Sequence, residues 1–188
     1  MKFTRSLAAV ALFAAMFAPF AAHAQQDQPP GFWTTPTIEG YGPIHMLPNA
    51  QYKPQANHTY KIVFALTQDA KKPEVVNSAL DHVARTVNLY VASGVPLSHL
   101  KFVAVAYGAA TPLVLDDAHY RAAYGVANPN LPLIAELKKA GVVVAVCGQA
   151  VAEHHFSYDS IAPDVTLALS GLTTVTTLES QGYVLMPL

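Results

Sequence analysis

Val142-Val143-Val144-Ala145-Val146 constrains this chain more than any other stretch. A short run of β-branched residues between Gly141 and Cys147-Gly148 reads as a strand. It lacks the alternation of a half-wet strand, so apolar groups face both sides of the sheet. Strands of that kind belong to parallel sheets covered by helices.

The rest of the chain supplies what such a strand needs. Lys61–Thr67, Phe102–Tyr107, Val165–Leu169 and Tyr183–Met186 are further short apolar runs. Between the first two, Val76, Leu80, Val83, Val87 and Tyr90 recur at steps of four, three, four and three, which is one face of a helix. Pro73 suits its first turn and Gly94 its stop. Asp81 and Arg85 form an i,i+4 pair on its outer face. Asp116–Tyr124 is a short helical stretch within the loop that begins at Gly108. Leu131–Ala140 reads as a helix capped by Asn130, with Lys138 and Lys139 at its negative end and Gly141 as its stop. Ala150–Phe156 and Leu172–Gln181 complete the helices, the latter weakened by its threonines and valines. The β-α alternation predicts a three-layer α/β/α sandwich with a mostly parallel five-stranded sheet and right-handed crossovers. It does not give the strand order.

Two segments precede this domain. Lys2 and Arg5, the apolar run Leu7–Phe20 and Ala22-His23-Ala24 have the layout of a signal peptide. The run is too short to make a stable membrane span. Residues 1–24 are expected to be removed after Ala24, placing the mature protein in the periplasm or outside the cell. Residues 25–59 carry six prolines, which exclude a helix or central strand. Phe32, Trp33, Ile38, Tyr41, Ile44 and Met46 among them predict an extended arm lying on the domain or on a neighbouring subunit, with Trp33 as an anchor. Residues 60–188 form the α/β domain.

Charge is sparse, at 12% of residues. Removing Lys2 and Arg5 leaves nine of the eleven basic residues against twelve acidic ones, so no basic surplus exists to gather phosphates and no nucleic-acid partner is expected. No Gly-x-Gly-x-x-Gly, Walker or Gly-x-Ser-x-Gly pattern occurs, so no cofactor is expected. Adjacent His154 and His155 point about 100° apart on a helix and do not share a metal; no metal site is predicted.

Ligands of open α/β sheets bind beyond the carboxyl ends of strands. Those ends carry Thr67-Gln68-Asp69, Tyr107-Gly108 and Cys147-Gly148-Gln149. Cys147 is the only cysteine. It stands where a buried strand meets a helix start, whose free N–H groups favour a thiolate, the nucleophilic form. Gly148 permits a tight turn and a close approach there. With no second cysteine, any disulfide step needs an outside thiol. The same position also suits a buried cysteine that packs as a small apolar group. Arg121 is the candidate activating cation. Cys147 is the candidate catalytic residue, with Tyr107, Gly108, Gly148, Gln149 and Arg121 as binding residues.

Several segments resemble the DsrE/DsrF-like family: Asn128-Pro129-Asn130-Leu131-Pro132, Glu136-Leu137-Lys138-Lys139-Ala140-Gly141-Val142, Val146-Cys147-Gly148-Gln149-Ala150, Asp117-Ala118-His119-Tyr120-Arg121 and Gln181-Gly182-Tyr183-Val184-Leu185. The arm segment Gly40-Tyr41-Gly42-Pro43-Ile44-His45 is similar to that of exported members. The resemblance implies an α/β sandwich, a homo-oligomer, and a cysteine at the position of Cys147 that carries a persulfide between a sulfane-sulfur donor and a thiol acceptor. The chain departs from the better-known relatives in its leader and in Tyr107-Gly108, where they often have His-Gly. An alternative reading is a non-catalytic homo-oligomeric binding or assembly module in which Cys147 is only buried.

Overall fold

The computed structural model describes residues 28–188; the expected leader and its cleavage point lie outside the described residues. Five strands, β1 (Tyr60–Leu66), β2 (Leu100–Ala106), β3 (Val143–Cys147), β4 (Thr166–Ala168) and β5 (Val184–Pro187), form one sheet in the order β4-β3-β2-β1-β5. Every pairing is parallel. The helices are α1 (Ser78–Ala92), α2 (Asp117–Tyr124), α3 (Leu131–Lys139), α4 (Gly148–Glu153) and α5 (Gly171–Ser180). None is long and apolar enough to cross a membrane among the described residues.

The strand order explains the layers. From β1 to β4 the chain steps across the sheet in one direction, so right-handed crossovers place α1, α3 and α4 on the same face. The last crossover returns past all of them to the far side of β1, which puts α5 on the opposite face. The packing follows. Ile62, Phe64 and Leu66 of β1, Phe102 of β2 and Val144 and Val146 of β3 bury against Leu80, Val83 and Val87 of α1 and Leu133, Ile134 and Leu137 of α3. On the other face Val63 and Val105 meet Val175 of α5. One helix does not cover a five-stranded sheet. Val143, in register with Val103, is therefore 44% exposed, against the expectation that both faces of its strand are buried.

Helix α1 starts five residues after Pro73, because Asn77 is the cap: its Oδ1 accepts from the N–H groups of Ala79 and Leu80 at 2.9 and 3.2 Å. Ser93 and the positive-φ Gly94 end it. Asn130 stands at the start of α3 but makes no side-chain cap there; its Oδ1 accepts instead from Asn77 N–H at 2.8 Å. Asn128 completes this buried chain. Its amide donates to the carbonyls of Leu113 and Leu115, and its Oδ1 accepts from Asn130 N–H. Three asparagines thus tie together the loops that leave β1 and β2 and the start of α3.

The arm packs on α1. Asn88, fully buried, accepts from Thr37 and Ile38 N–H at 3.1 and 2.8 Å and donates to the carbonyls of Tyr41 and Gly42, both at 2.9 Å. Asp81 accepts from Gly42 N–H at 2.7 Å, so it forms no pair with Arg85: the helix face read as solvent-facing is covered by the arm. Gly42 has φ +55°, and a Cβ there would lie 2.1 Å from the backbone nitrogen of Arg85. The anchors are Ile38 and Ile44, 1% and 2% exposed, rather than Trp33, which is 54% exposed. Trp33 is flanked by Phe32, whose ring stacks on His45.

Candidate functional site

The topology also fixes where a crevice forms. β3 is followed by a helix on one face and β4 by a helix on the other. Their carboxyl ends therefore diverge into opposite layers, the arrangement that opens ligand crevices in α/β sheets. A cavity of about 370 Å³ opens there, lined by the starts of α4 and α5 and by Tyr107-Gly108 from the neighbouring strand β2.

Cys147 stands in its wall. It is both the last residue of β3 and the N-cap of α4. Its Sγ accepts from Ala150 N–H at 3.4 Å, so one of the free donors expected at the helix start meets the sulfur. The residue is 6% exposed. Gly148 is needed for a close approach, but of the protein's own backbone: a Cβ there would lie 2.9 Å from the carbonyl oxygen of Ala168 on β4. Gly148 faces an adjacent shallow hollow with Gln149, Tyr158 and Leu169, and is absent from the lining of the Cys147 cavity. Gln149 lines both, its Nε2 donating to the carbonyl of Leu169 at 3.2 Å.

Tyr107 and Gly108 form the second wall. Tyr107 N–H continues the β ladder to the carbonyl of Leu66. Its ring lies against the backbone of Gly171, where a Cβ would come within 3.0 Å of Cδ1. Gly108 has φ +57°, which only glycine adopts readily. Its carbonyl accepts from Thr111 Oγ1 at 2.8 Å and is 2.9 Å from Nε2 of His154, which stands just beyond the end of α4. His154 therefore braces the turn beside the cavity.

Arg121 is not brought to Cys147. It lies on α2 with its Nε donating to Asp117 Oδ2 at 2.7 Å, an i,i+4 pair on an exposed helix. Arg121 is the main reason the Asp117 carboxyl titrates below the ordinary carboxylate range. Asp116 is likewise held low, first by the backbone N–H of His119 that it caps. Thr67-Gln68-Asp69 also stays away from the cavity; Gln68 instead accepts from Asn77 Nδ2.

Glu153, Ser170, Gly171 and Leu172 complete the cavity and were not among the expected site residues. Ser170 caps α5, its Oγ accepting from Leu172 N–H at 3.2 Å. A serine ahead of a helical stretch is a readable cap. That it shares a cavity with Cys147 follows only from β3 and β4 being neighbours. Among the described residues no group of three or more His, Cys, Asp or Glu side chains is arranged to hold a metal ion.

The model of the DsrE/DsrF-like family matches residues 61–188. Among solved structures, a protein of unknown function from Methanobacterium thermoautotrophicum is similar, with a TM-score of 0.51 and 18% identity. The match covers 69% of this chain and 99% of that one, and it concerns the fold alone. No curated protein matches the chain.

Proposed function

The chain belongs to the DsrE/DsrF-like family, and from that premise we propose that it is an exported sulfur carrier acting through Cys147. The observation that carries this reading is the placing of Cys147 Sγ at a helix start, against Ala150 N–H, in the wall of a 370 Å³ cavity. In the forward step the Cys147 thiolate attacks the outer sulfur of a donor persulfide, R–S–SH. The donor S–S bond breaks, R–S⁻ leaves, and Cys147 holds S–SH. An acceptor thiolate then takes the outer sulfur by the same exchange, and the Cys147 thiolate returns. Sulfur moves without net oxidation. Tyr107, Gly108 and Gln149 wall the space in which donor and acceptor meet the thiol. Export rests on the leader-like sequence of residues 1–24, and its check is the N-terminus of the protein recovered from the cell envelope.

Mass spectrometry of the folded protein after exposure to polysulfide tests the carrier role. An adduct of about 32 Da on Cys147, removed by a thiol and absent from Cys147→Ser, is expected. A thiol accessible to alkylation that takes up no sulfur would overturn it.

A second reading, an oligomeric binding or assembly module, has its own support. Val143, Leu167, Leu169, Leu172 and Leu185 are apolar and exposed. Val143 and Leu185 lie on the sheet face that α5 leaves partly bare, and a second copy of the chain is the occupant proposed for it. The two readings separate on a thiol titration. A Cys147 that reacts only after denaturation, in a protein that sediments as an oligomer, supports the module.

A further inference from the structure

The walls of the cavity carry an asymmetry of charge. Cys147, Tyr107, Gly108, Gln149 and Leu172 line it with no lysine, arginine or histidine among the lining residues. Its one acidic side chain is Glu153. Glu153 is exposed and makes no ion pair among the described residues. It is the last residue of α4, so six residues of helix set it about 9 Å along the axis from Cys147. His154, the next residue, is turned to the Gly108 carbonyl. The sulfur thus accepts from a backbone N–H, and the carboxyl group of Glu153 stands farther along the same helix in the same cavity wall.

We infer that Glu153 selects the sulfur compounds that reach Cys147, admitting those with uncharged or cationic groups beside the sulfur and disfavouring those with carboxylates. This rests on Cys147 being a working thiol, and it adds the chemical class of its partners. Discrimination here comes from a repulsive element built against the wrong ligand. At about 9 Å in a water-like dielectric, one unit charge changes encounter by about twofold, hence about fivefold between a cation and an anion. The ratio grows for doubly charged reagents and shrinks with salt.

The test uses thiol–disulfide exchange of the folded protein with three symmetrical disulfides: cystamine, bis(2-hydroxyethyl) disulfide and dithiodiglycolate. The Cys147 thiolate attacks one sulfur, the S–S bond breaks, Cys147–S–S–R forms, and R–S⁻ leaves and takes a proton from water. Rates are measured at about pH 8 with all three reagents in the same buffer. Each is divided by the rate of the same chain unfolded in urea, which removes the intrinsic reactivity of the reagent. The expected order is cystamine, then the neutral disulfide, then dithiodiglycolate, with at least fivefold between the ends at low salt and a smaller ratio at high salt. Glu153→Gln should flatten the ratio and Glu153→Lys should invert it. An unchanged ratio in both variants would overturn the role of Glu153 while leaving the carrier intact. If none of the three reagents reacts with the folded protein, although all react with the unfolded chain, the carrier reading fails and the selectivity with it.

Discussion

Replacing Asn88 by alanine tests whether the arm is part of the folded domain. Asn88 makes four hydrogen bonds to the arm, at 2.8 to 3.1 Å. Those to Ile38 N–H and the Gly42 carbonyl are buried, and those to Thr37 N–H and the Tyr41 carbonyl are partly buried. At about 1 kcal/mol for each buried bond and about half that for the others, Asn88→Ala costs about 3 kcal/mol if the arm stays in place. The arm's other course is to lift away, which re-solvates those groups but exposes Ile38 and Ile44. Each of these isoleucines contributes about 1.5–3 kcal/mol by its burial, partly offset by the freedom the arm regains. The two courses cost similar amounts, so about 3 kcal/mol is expected either way. For a domain of this size that lowers Tm by about 6–12 °C. Calorimetry reads the total. Hydrogen exchange at Thr37 and Ile38 tells the courses apart, since only a lifted arm exchanges fast at both. A cost below about 1 kcal/mol with both amides still protected would refute the argument that Asn88 holds the arm.

Other substitutions probe the loops around the site. Asn128→Ala strands the carbonyls of Leu113 and Leu115 and the N–H of Asn130, and should lower the free energy of urea unfolding by about 2–4 kcal/mol. Gly171→Ala pushes a methyl against the Tyr107 ring, so it should cost about 1 kcal/mol and change the rate at which Cys147 is alkylated; an unchanged rate would show that the Tyr107 wall does not govern access. Asp116 caps α2 and its folded carboxyl titrates below its unfolded value, so its contribution is present at neutral pH and lost as pH falls through the folded value. The stability gap between wild type and Asp116→Ala should therefore be wide at about pH 7 and narrow at about pH 3 in urea unfolding.

What could be read from the sequence was what repeats along the chain. All five strands and the α-helices fall within a few residues of where apolar runs and spacing put them; burial dictates that pattern in β1, β2 and β3, while the edge strands β4 and β5 stay largely exposed. The errors came where a side chain with several partners chose a distant one. Asn130 has the right type and place for a cap, yet Asn77 N–H takes its oxygen. Asp81 has Arg85 one turn away, yet a backbone N–H of the arm reaches it first. Arg121 departs in the opposite way, taking the near partner: Asp117, four residues before it on the same exposed helix, holds it. Cys147, Tyr107, Gly108 and Gln149 were legible as strand ends and do come together. Ser170 was not, since its place beside Cys147 depends on strand order, which apolar patterning does not encode; Glu153 follows Cys147 on the same short helix, and no pattern in the sequence marks it as lining the cavity.

The sheet order has a bearing on how the fold closes. β5 lies beside β1, so the first strand made is paired on one side by the last, through Ile62↔Val184 to Ala65↔Pro187. Until Val184–Pro187 join the sheet, β1 carries a bare edge of unpaired N–H and C=O groups beside an apolar face. Helix α5, which covers the second face among the described residues, directly precedes β5 in the chain. A chain stopped short of Val184 thus lacks the strand that pairs with this edge and leaves it prone to pairing with other chains.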